Sequence, residues 1–226
     1  MIKACIFDLD GTVMDTLSSI AYFVNTTLAE LGFGEIEEEK FKYLAGNGRS
    51  KLLHRSLEIF DADTDDMFEK ACEIYDGAYE NNFMYKTCAF EGIKEQITKL
   101  KEKGIKVAIL SNKPDNVTRF IVEETFGKEF FDFVQGQIEG IPLKPTPESF
   151  LHIAKKLGTE PSESIMIGDT NVDIKTGHNA GAHTMGVLWG FRSREELESA
   201  GAEVIVESPK EIYEAVMNIL DFKEEI

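Results

Sequence analysis

The chain has 226 residues, 42% hydrophobic and 29% charged, with 24 Lys and Arg against 41 Asp and Glu and a formal net charge of −17. Such a chain can bury a full core and still hold a sizeable insertion. The charge argues against nucleic acid and anionic membranes as partners reached through bulk electrostatics. No apolar run approaches the roughly 20 residues that span a bilayer. Met1-Ile2-Lys3 leads straight into the first apolar run with no leader pattern, so a cytoplasmic protein is expected. Cys5, Cys72 and Cys88 are few, scattered and without metal-ligand spacing, which suits a reducing compartment.

Ile2 to Phe7 reads as a short buried strand that stops at Asp8-Leu9-Asp10-Gly11-Thr12. Strand period puts Asp8 and Asp10 on one face and Leu9 on the other. Ile20, Phe23, Val24, Thr27, Leu28 and Leu31 recur at helical steps, and Gly32 is placed to end that helix. Glu35 to Lys40 opens a second helix that stops at Ala45-Gly46-Asn47-Gly48. A third helix starts at Ser50, and a fourth starts near Thr64 and carries Met67, Ala71, Ile74, Tyr75 and Ala78. No strand alternation is seen between Thr16 and Tyr85. After that, strands at Val107–Leu110, Phe131–Val134, Ser164–Ile167, His183–Val187 and Val204–Val206 are expected. They alternate with helices at Ile93–Leu100, Asp115–Thr125, Pro147–Leu157, Asp173–Ala180 and Pro209–Leu220. The acidic end from Asp221 is expected to fray.

This alternation is the signature of an α/β fold with a doubly wound, Rossmann-like parallel sheet. It begins before residue 16, is interrupted, and resumes near Cys88. The expected organisation is therefore a core of residues 1–15 and 88–226 with an all-helical insertion over 16–87.

In such sheets ligands bind at the carboxyl ends of the strands. Asp8, Asp10, Ser111-Asn112 and Asp169-Thr170 all fall at such ends, and Lys144 lies in the loop after the third strand. Paired carboxylates at one rim are costly unless a cation or a shared proton relieves them. Asp8, Asp10, Asp169 and Asp173 would together make an oxygen-rich cluster suited to Mg²⁺. Lys144 and Ser111 would supply what a bound phosphate needs. Asp173 could instead cap the helix it begins. The loop Gly46-Asn47-Gly48-Arg49 can approach a ligand closely, and Arg49 can pair with a carboxylate or phosphate.

In order and spacing, Asp8-Leu9-Asp10-Gly11-Thr12, Ser111-Asn112, Lys144 and Gly168-Asp169-Thr170 with Asp173 resemble the four motifs of the haloacid dehalogenase-like hydrolase superfamily. Ser111-Asn112-Lys113-Pro114 and Val187-Leu188-Trp189-Gly190 look most like its phosphoglycolate phosphatase-type branch, which carries a cap domain where the helical insertion falls. The resemblance implies a Mg²⁺-dependent phosphatase of small phosphorylated metabolites, 2-phosphoglycolate foremost. Asp8 would be the nucleophile and form an aspartyl-phosphate, and Asp10 the acid and base. The metal would be held by Asp8, the main-chain carbonyl of Asp10, and Asp169, with Asp173 in support. Ser111 and main-chain N–H groups near Asn112 would bind the phosphoryl oxygens, and Lys144 would balance their charge. Gly46, Asn47, Gly48 and Arg49 would meet the leaving group, Arg49 through its carboxylate.

Repulsion within the Asp8/Asp10 pair should raise the pKa of one member, and the acid role asks that this be Asp10. Mutases of the β-phosphoglucomutase type commonly carry Glu-Asp where this chain has Gly168-Asp169, which favours hydrolysis over phosphoryl return. A sugar-phosphate mutase, an inorganic pyrophosphatase and a non-catalytic phosphate-binding module remain as alternatives.

Overall fold

The structure is a computed structural model and describes residues 1–80 and 82–221. The acidic end expected to fray lies, beyond Asp221, outside the described residues.

The centre is a six-stranded, all-parallel sheet whose strands lie side by side in the order Phe133–Gln137, Lys106–Pro114, Ala4–Phe7, Ser164–Gly168, His183–Val187 and Val204–Val206. Its first strand β1 spans Ala4–Phe7, and the chain then turns through Gly11 into a two-residue strand β2, Met14–Asp15. Four helices follow: α1 (Leu17–Glu30), α2 (Phe41–Leu44), α3 (Arg49–Glu58) and α4 (Asp65–Tyr79). The chain returns through β3 (Cys88–Ala89), which pairs antiparallel with β2. The helical segment thus leaves and rejoins the sheet through one two-stranded ribbon. The alternation then runs α5 (Ile93–Glu102), β4 (Lys106–Pro114), α6 (Asp115–Phe126), β5 (Phe133–Gln137), α7 (Glu148–Leu157), β6 (Ser164–Gly168), α8 (Asn171–Ala180), β7 (His183–Val187), α9 (Arg194–Ser199), β8 (Val204–Val206) and α10 (Ile212–Asp221). Among the described residues, no helix is long and apolar enough to cross a membrane.

The continuous apolar runs have a physical reason. Successive side chains of a strand face opposite sides, and both sides of this sheet are covered. Cys5, Phe7, Val107, Ile109, Ile165 and Ile167 enter one core cluster. Their neighbours Ile6, Ala108, Leu110 and Met166 enter another, with Phe150, Ile153 and Ala154 of α7. The first cluster continues into the inserted helices through Phe23, Leu28, Leu53 and Tyr75.

Several elements differ from the sequence-based expectation. The second helix shrinks to a single 3₁₀ turn over Glu38–Lys40 followed by α2. The Glu35 end is held extended because Ile36 exchanges two hydrogen bonds with the Asn25 side chain, both 2.9 Å. The expected strand at Phe131 begins two residues later. Phe131 is instead buried in an aromatic group with Phe126 and Phe130. β4 does not stop at Leu110: it runs on to Pro114, which pairs with Gln137 after a register shift. The helix expected from Pro209 begins as a 3₁₀ turn, Pro209–Glu211. The ribbon β2/β3 and helix α9 were not foreseen.

β1 lies between β4 and β6, with Phe7 level with Ile109 on one side and Ile167 on the other. The chain leaves β1 toward β4 but leaves β6 toward β7. These opposite departures open a crevice at the strand ends, and Asp8 and Asp169 border it.

Candidate active site

Each rim residue is positioned by a strand that ends beneath it. Asp8 follows β1 directly, and its N–H donates to the Ile167 carbonyl at 2.8 Å, which fixes its backbone against β6. The next residues wind into a tight loop in which the N–H groups of Val13 and Met14 both donate to the Leu9 carbonyl. Gly11 makes this turn possible with φ of +83°. A Cβ there would also lie 2.3 Å from Asp169 Oδ2.

Asp8, Asp169 and Asp173 are all buried, with carboxylate oxygens within 4.8 Å of one another. Burial pushes the Asp8 carboxyl up to about 7, against the downward pull of Lys144. Burial, then the charges of Asp8 and Asp173, hold Asp169 well above the usual carboxylate range. The expected raised pKa therefore falls on Asp8, and burial outweighs its neighbours as the cause. Asp169 accepts from Thr12 Oγ1 at 3.1 Å and from the Phe191 N–H at 2.7 Å. Asp173 serves twice. Its Oδ2 accepts the Thr170 N–H and hydroxyl and so caps α8, while its Oδ1 accepts Lys144 Nζ at 2.6 Å. Helix cap and site residue were rival sequence readings, and the side chain is placed for both.

Lys144 is the counter-ion at the centre. Its Nζ donates to Asp8 Oδ1 at 2.7 Å, to Asp173 Oδ1 and to the Leu110 carbonyl at 3.0 Å. Burial disfavours its charge, but the two aspartates outweigh burial and hold the ammonium. Among the described residues, no hydrogen bond involves the other Asp8 oxygen, Oδ2. Asn112 holds the Lys144 backbone from both sides: Oδ1 accepts the Lys144 N–H at 2.9 Å and Nδ2 donates to its carbonyl at 3.1 Å. The same Nδ2 donates to the Gly46 carbonyl at 3.3 Å, so one amide ties the lysine loop to the inserted helices. The Asn112 side chain is thus engaged in positioning the lysine loop, and the residue also borders the cavity.

Asp10 stands apart from the cluster in which the sequence reading had included its side chain. Both of its oxygens accept from Lys113 Nζ at 3.0 Å. Lys113 is the residue sequence reasoning missed. The polar run Ser111-Asn112-Lys113 reads as a turn, whereas β4 continues through it and brings the lysine to the rim. Burial opposes the Lys113 charge, and Asp10 with Tyr79 outweighs it. Ser111 Oγ accepts the Lys113 N–H at 3.1 Å.

Above Asp8 and Asp10 is a cavity of about 90 Å³. Ser111, Asn112 and Lys113 form its floor with the two aspartates. Its roof comes from the inserted helices: Ile20, Gly46, Gly48, Arg49, Leu52, Tyr75, Asp76 and Tyr79. Lys144, Asp169 and Asp173 lie one layer deeper. Of the foreseen loop, Gly46 and Gly48 face the cavity, with positive φ. Asn47 does not border it, and its Oδ1 accepts from Arg55 Nη2 at 2.9 Å. Arg49 borders the cavity but is paired, its Nη1 2.5 Å from Asp76 Oδ2. The loop is fastened to the core, because Arg192 Nη2 also donates to the Ala45 carbonyl at 3.2 Å.

Comparison with known proteins gives the same architecture. The family model of haloacid dehalogenase-like hydrolases matches residues 5–187. A phosphoglycolate phosphatase of Nitrosospira multiformis is 30% identical over 95% of this chain and 94% of its own. A solved structure from Lactobacillus delbrueckii subsp. bulgaricus, provisionally assigned as a phosphoglycolate phosphatase, superposes with a TM-score of 0.91 at 31% identity, over 95% of this chain and 98% of that one. A β-phosphoglucomutase from Clostridium difficile shares the fold, with a TM-score of 0.78 at 23% identity over the whole of both chains. With its first strand, lysine loop and acidic rim in the matched span, the chain belongs to the haloacid dehalogenase-like hydrolases, on their phosphoglycolate phosphatase-like branch.

Proposed function

We propose that this phosphatase is a Mg²⁺-dependent phosphomonoesterase that turns over a small phosphorylated metabolite through an aspartyl-phosphate on Asp8. Residues 16–87 act as its cap over a core of residues 1–15 and 88–226. The observation that carries the reading is the buried trio Asp8, Asp169 and Asp173 beside a single ammonium. Two of the three carboxylates resist their own charge, and hard oxygen donors at this density fit a small divalent cation. Asp8, Asp169 and the main-chain carbonyl of Asp10 would hold it, with Asp173 in support through Lys144. When bound, Mg²⁺ would neutralise charge on the phosphoryl oxygens and on Asp8.

The chain's own residues account for the rest. Asp8 attacks phosphorus and a new P–O bond forms as the ester oxygen departs. Asp10, oriented by Lys113, passes that oxygen a proton taken up when substrate binds, and later takes one from the water that hydrolyses the acyl phosphate. Ser111 and nearby N–H groups bind the phosphoryl oxygens, and Lys144 keeps Asp8 in place while offsetting its charge. Cap contacts exclude bulk water. The net charge and the small cavity support a small-molecule substrate without nucleic-acid or membrane partners, and the three free cysteines suit a reducing cytoplasm.

Return of the phosphoryl group to the product, as in a mutase, is less well served. A Cβ on Gly168 would lie 2.2 Å from Asp173 Cβ, so this rim has no room for the Glu that such enzymes carry. Among metabolites, 2-phosphoglycolate is the compound the relatives' names carry, and it heads the screen.

Phosphate release from an aryl phosphate should cease in EDTA and return with Mg²⁺. Acid quenching should trap one phosphoryl group on Asp8, and Asp8→Asn should lower turnover on the order of 10⁴-fold or more. Full turnover in chelator, or trapped phosphate in the Asp8→Asn protein, overturns the reading.

A further inference from the structure

We infer that the cap side of the cavity selects uncharged, hydroxylated leaving groups of about glycerol size and rejects carboxylated ones, and that Asp76 makes the distinction. The inference rests on the phosphatase reading above and names the substrate class of that site.

The first ground is that, among the described residues, every cation at or just beneath the cavity already has a carboxylate. Lys144 is held by Asp8 and Asp173, Lys113 by Asp10, and Arg49 by Asp76. A substrate such as 2-phosphoglycolate brings a second anion two carbons from its phosphate. In this cavity that anion meets Asp10 and Asp76, and the Arg49 charge it could pair with is already offset by Asp76. Like charges brought together without a free counter-ion disfavour binding.

The second ground is what the cavity offers instead. Tyr75 is 6% exposed and borders the cavity. Its ring stacks on Tyr79 at 5.5 Å, and its hydroxyl makes no hydrogen bond among the described residues. That hydroxyl is free to donate to, or accept from, a hydroxyl of a ligand in the cavity. The Asp76 carboxylate accepts and the Arg49 guanidinium donates, so the pair can serve adjacent hydroxyls without separating. Ile20 and Leu52 give the carbon face an apolar wall. An alcohol is served by all three features, whereas a carboxylate brings a charge that none of them offsets. The cavity of about 90 Å³ limits the leaving group to a few heavy atoms.

The test uses pairs of nearly equal shape with the Mg²⁺-loaded enzyme: 2-hydroxyethyl phosphate against 2-phosphoglycolate, and glycerol 3-phosphate against 3-phosphoglycerate. The neutral member of each pair should show kcat/KM at least about tenfold higher. Asp76→Asn and Asp76→Ala, at a half-exposed position, should narrow that gap at least about fivefold by lowering KM for the carboxylated member. Equal or better turnover of 2-phosphoglycolate overturns the inference, as does a gap that neither variant changes. An aryl phosphate separates the two failures. If it is hydrolysed while the carboxylated substrates win, the selectivity alone is wrong. If it is not hydrolysed, the phosphatase reading falls and the inference with it.

Discussion

At the carboxyl rim, Asp8, Ser111 and Asp169 each follow directly on a buried apolar run, so the strand delivers the side chain and the sheet fixes the backbone. In the inserted helices, Arg49 and Asp76 stand 27 residues apart on α3 and α4 and meet only because those helices pack together. The rim carboxylates are buried, bonded and shielded from solvent. The cap pair is far more open, with 34% of the Arg49 and 58% of the Asp76 side chain exposed. On the proposed reading, chemistry rests on the part that folding holds rigidly, and selection on a pair that solvent screens and evolution can exchange at little cost in stability.

Three measurements can break or sharpen this contrast. The largest effect should come from Lys144→Ala, which leaves Asp8 and Asp173 facing each other without an ammonium. Loss of one partner from a buried ion pair costs about 3–5 kcal/mol, measurable by urea unfolding, with activity lost as well. A change below about 1 kcal/mol would show that the rim is not held electrostatically.

The next effect depends on pH. Burial raises Asp8 to about 7 in the folded chain, while the unfolded chain ionises it near about 4. The stability this group contributes is therefore present below about 4 and is lost as pH rises through 7. Asn carries no such liability. In EDTA, the melting temperature of Asp8→Asn minus that of the wild type should grow by a few degrees, roughly 2–4 °C per kcal/mol relieved, between pH 5 and pH 8. A difference that shrinks over that range would contradict the burial argument.

The smallest effect belongs to the cap. Arg49→Ala removes a half-exposed ion pair and should change stability by less than about 1 kcal/mol in the same unfolding assay. A loss as large as that of Lys144→Ala would erase the distinction between the two regions.

The rim was legible in the sequence because its information is local. An apolar run ending in Asp, Ser-Asn or Gly-Asp states both the strand and what it presents, and the alternation of elements states the sheet. Lys113 escaped because Ser111-Asn112-Lys113-Pro114 is polar enough to read as a turn, and only pairing of Pro114 with Gln137 shows that the strand continues. Asn112 was singled out, but its work on the Lys144 backbone and the Gly46 carbonyl depends on loops 32 and 66 residues away. Asp76 carried no signal at all: on α4 it is one acidic residue among several, and its meaning comes from Arg49. The short strands β2 and β3 have two residues each, too few for any period to register.

Gly168 and Gly190 show a different kind of constraint. A Cβ on Gly168 would lie 2.2 Å from Asp173, and one on Gly190 would lie 2.3 Å from Asp169. With Gly11 on the other flank, the acidic residues are seated in a mould whose walls are bare backbone. Its shape is set by atoms that every residue has, and it exists only while no side chain intrudes. The rim carboxylates are therefore defined in part by what three positions leave out, and even an added methyl group there would displace an aspartate as surely as replacing the aspartate itself.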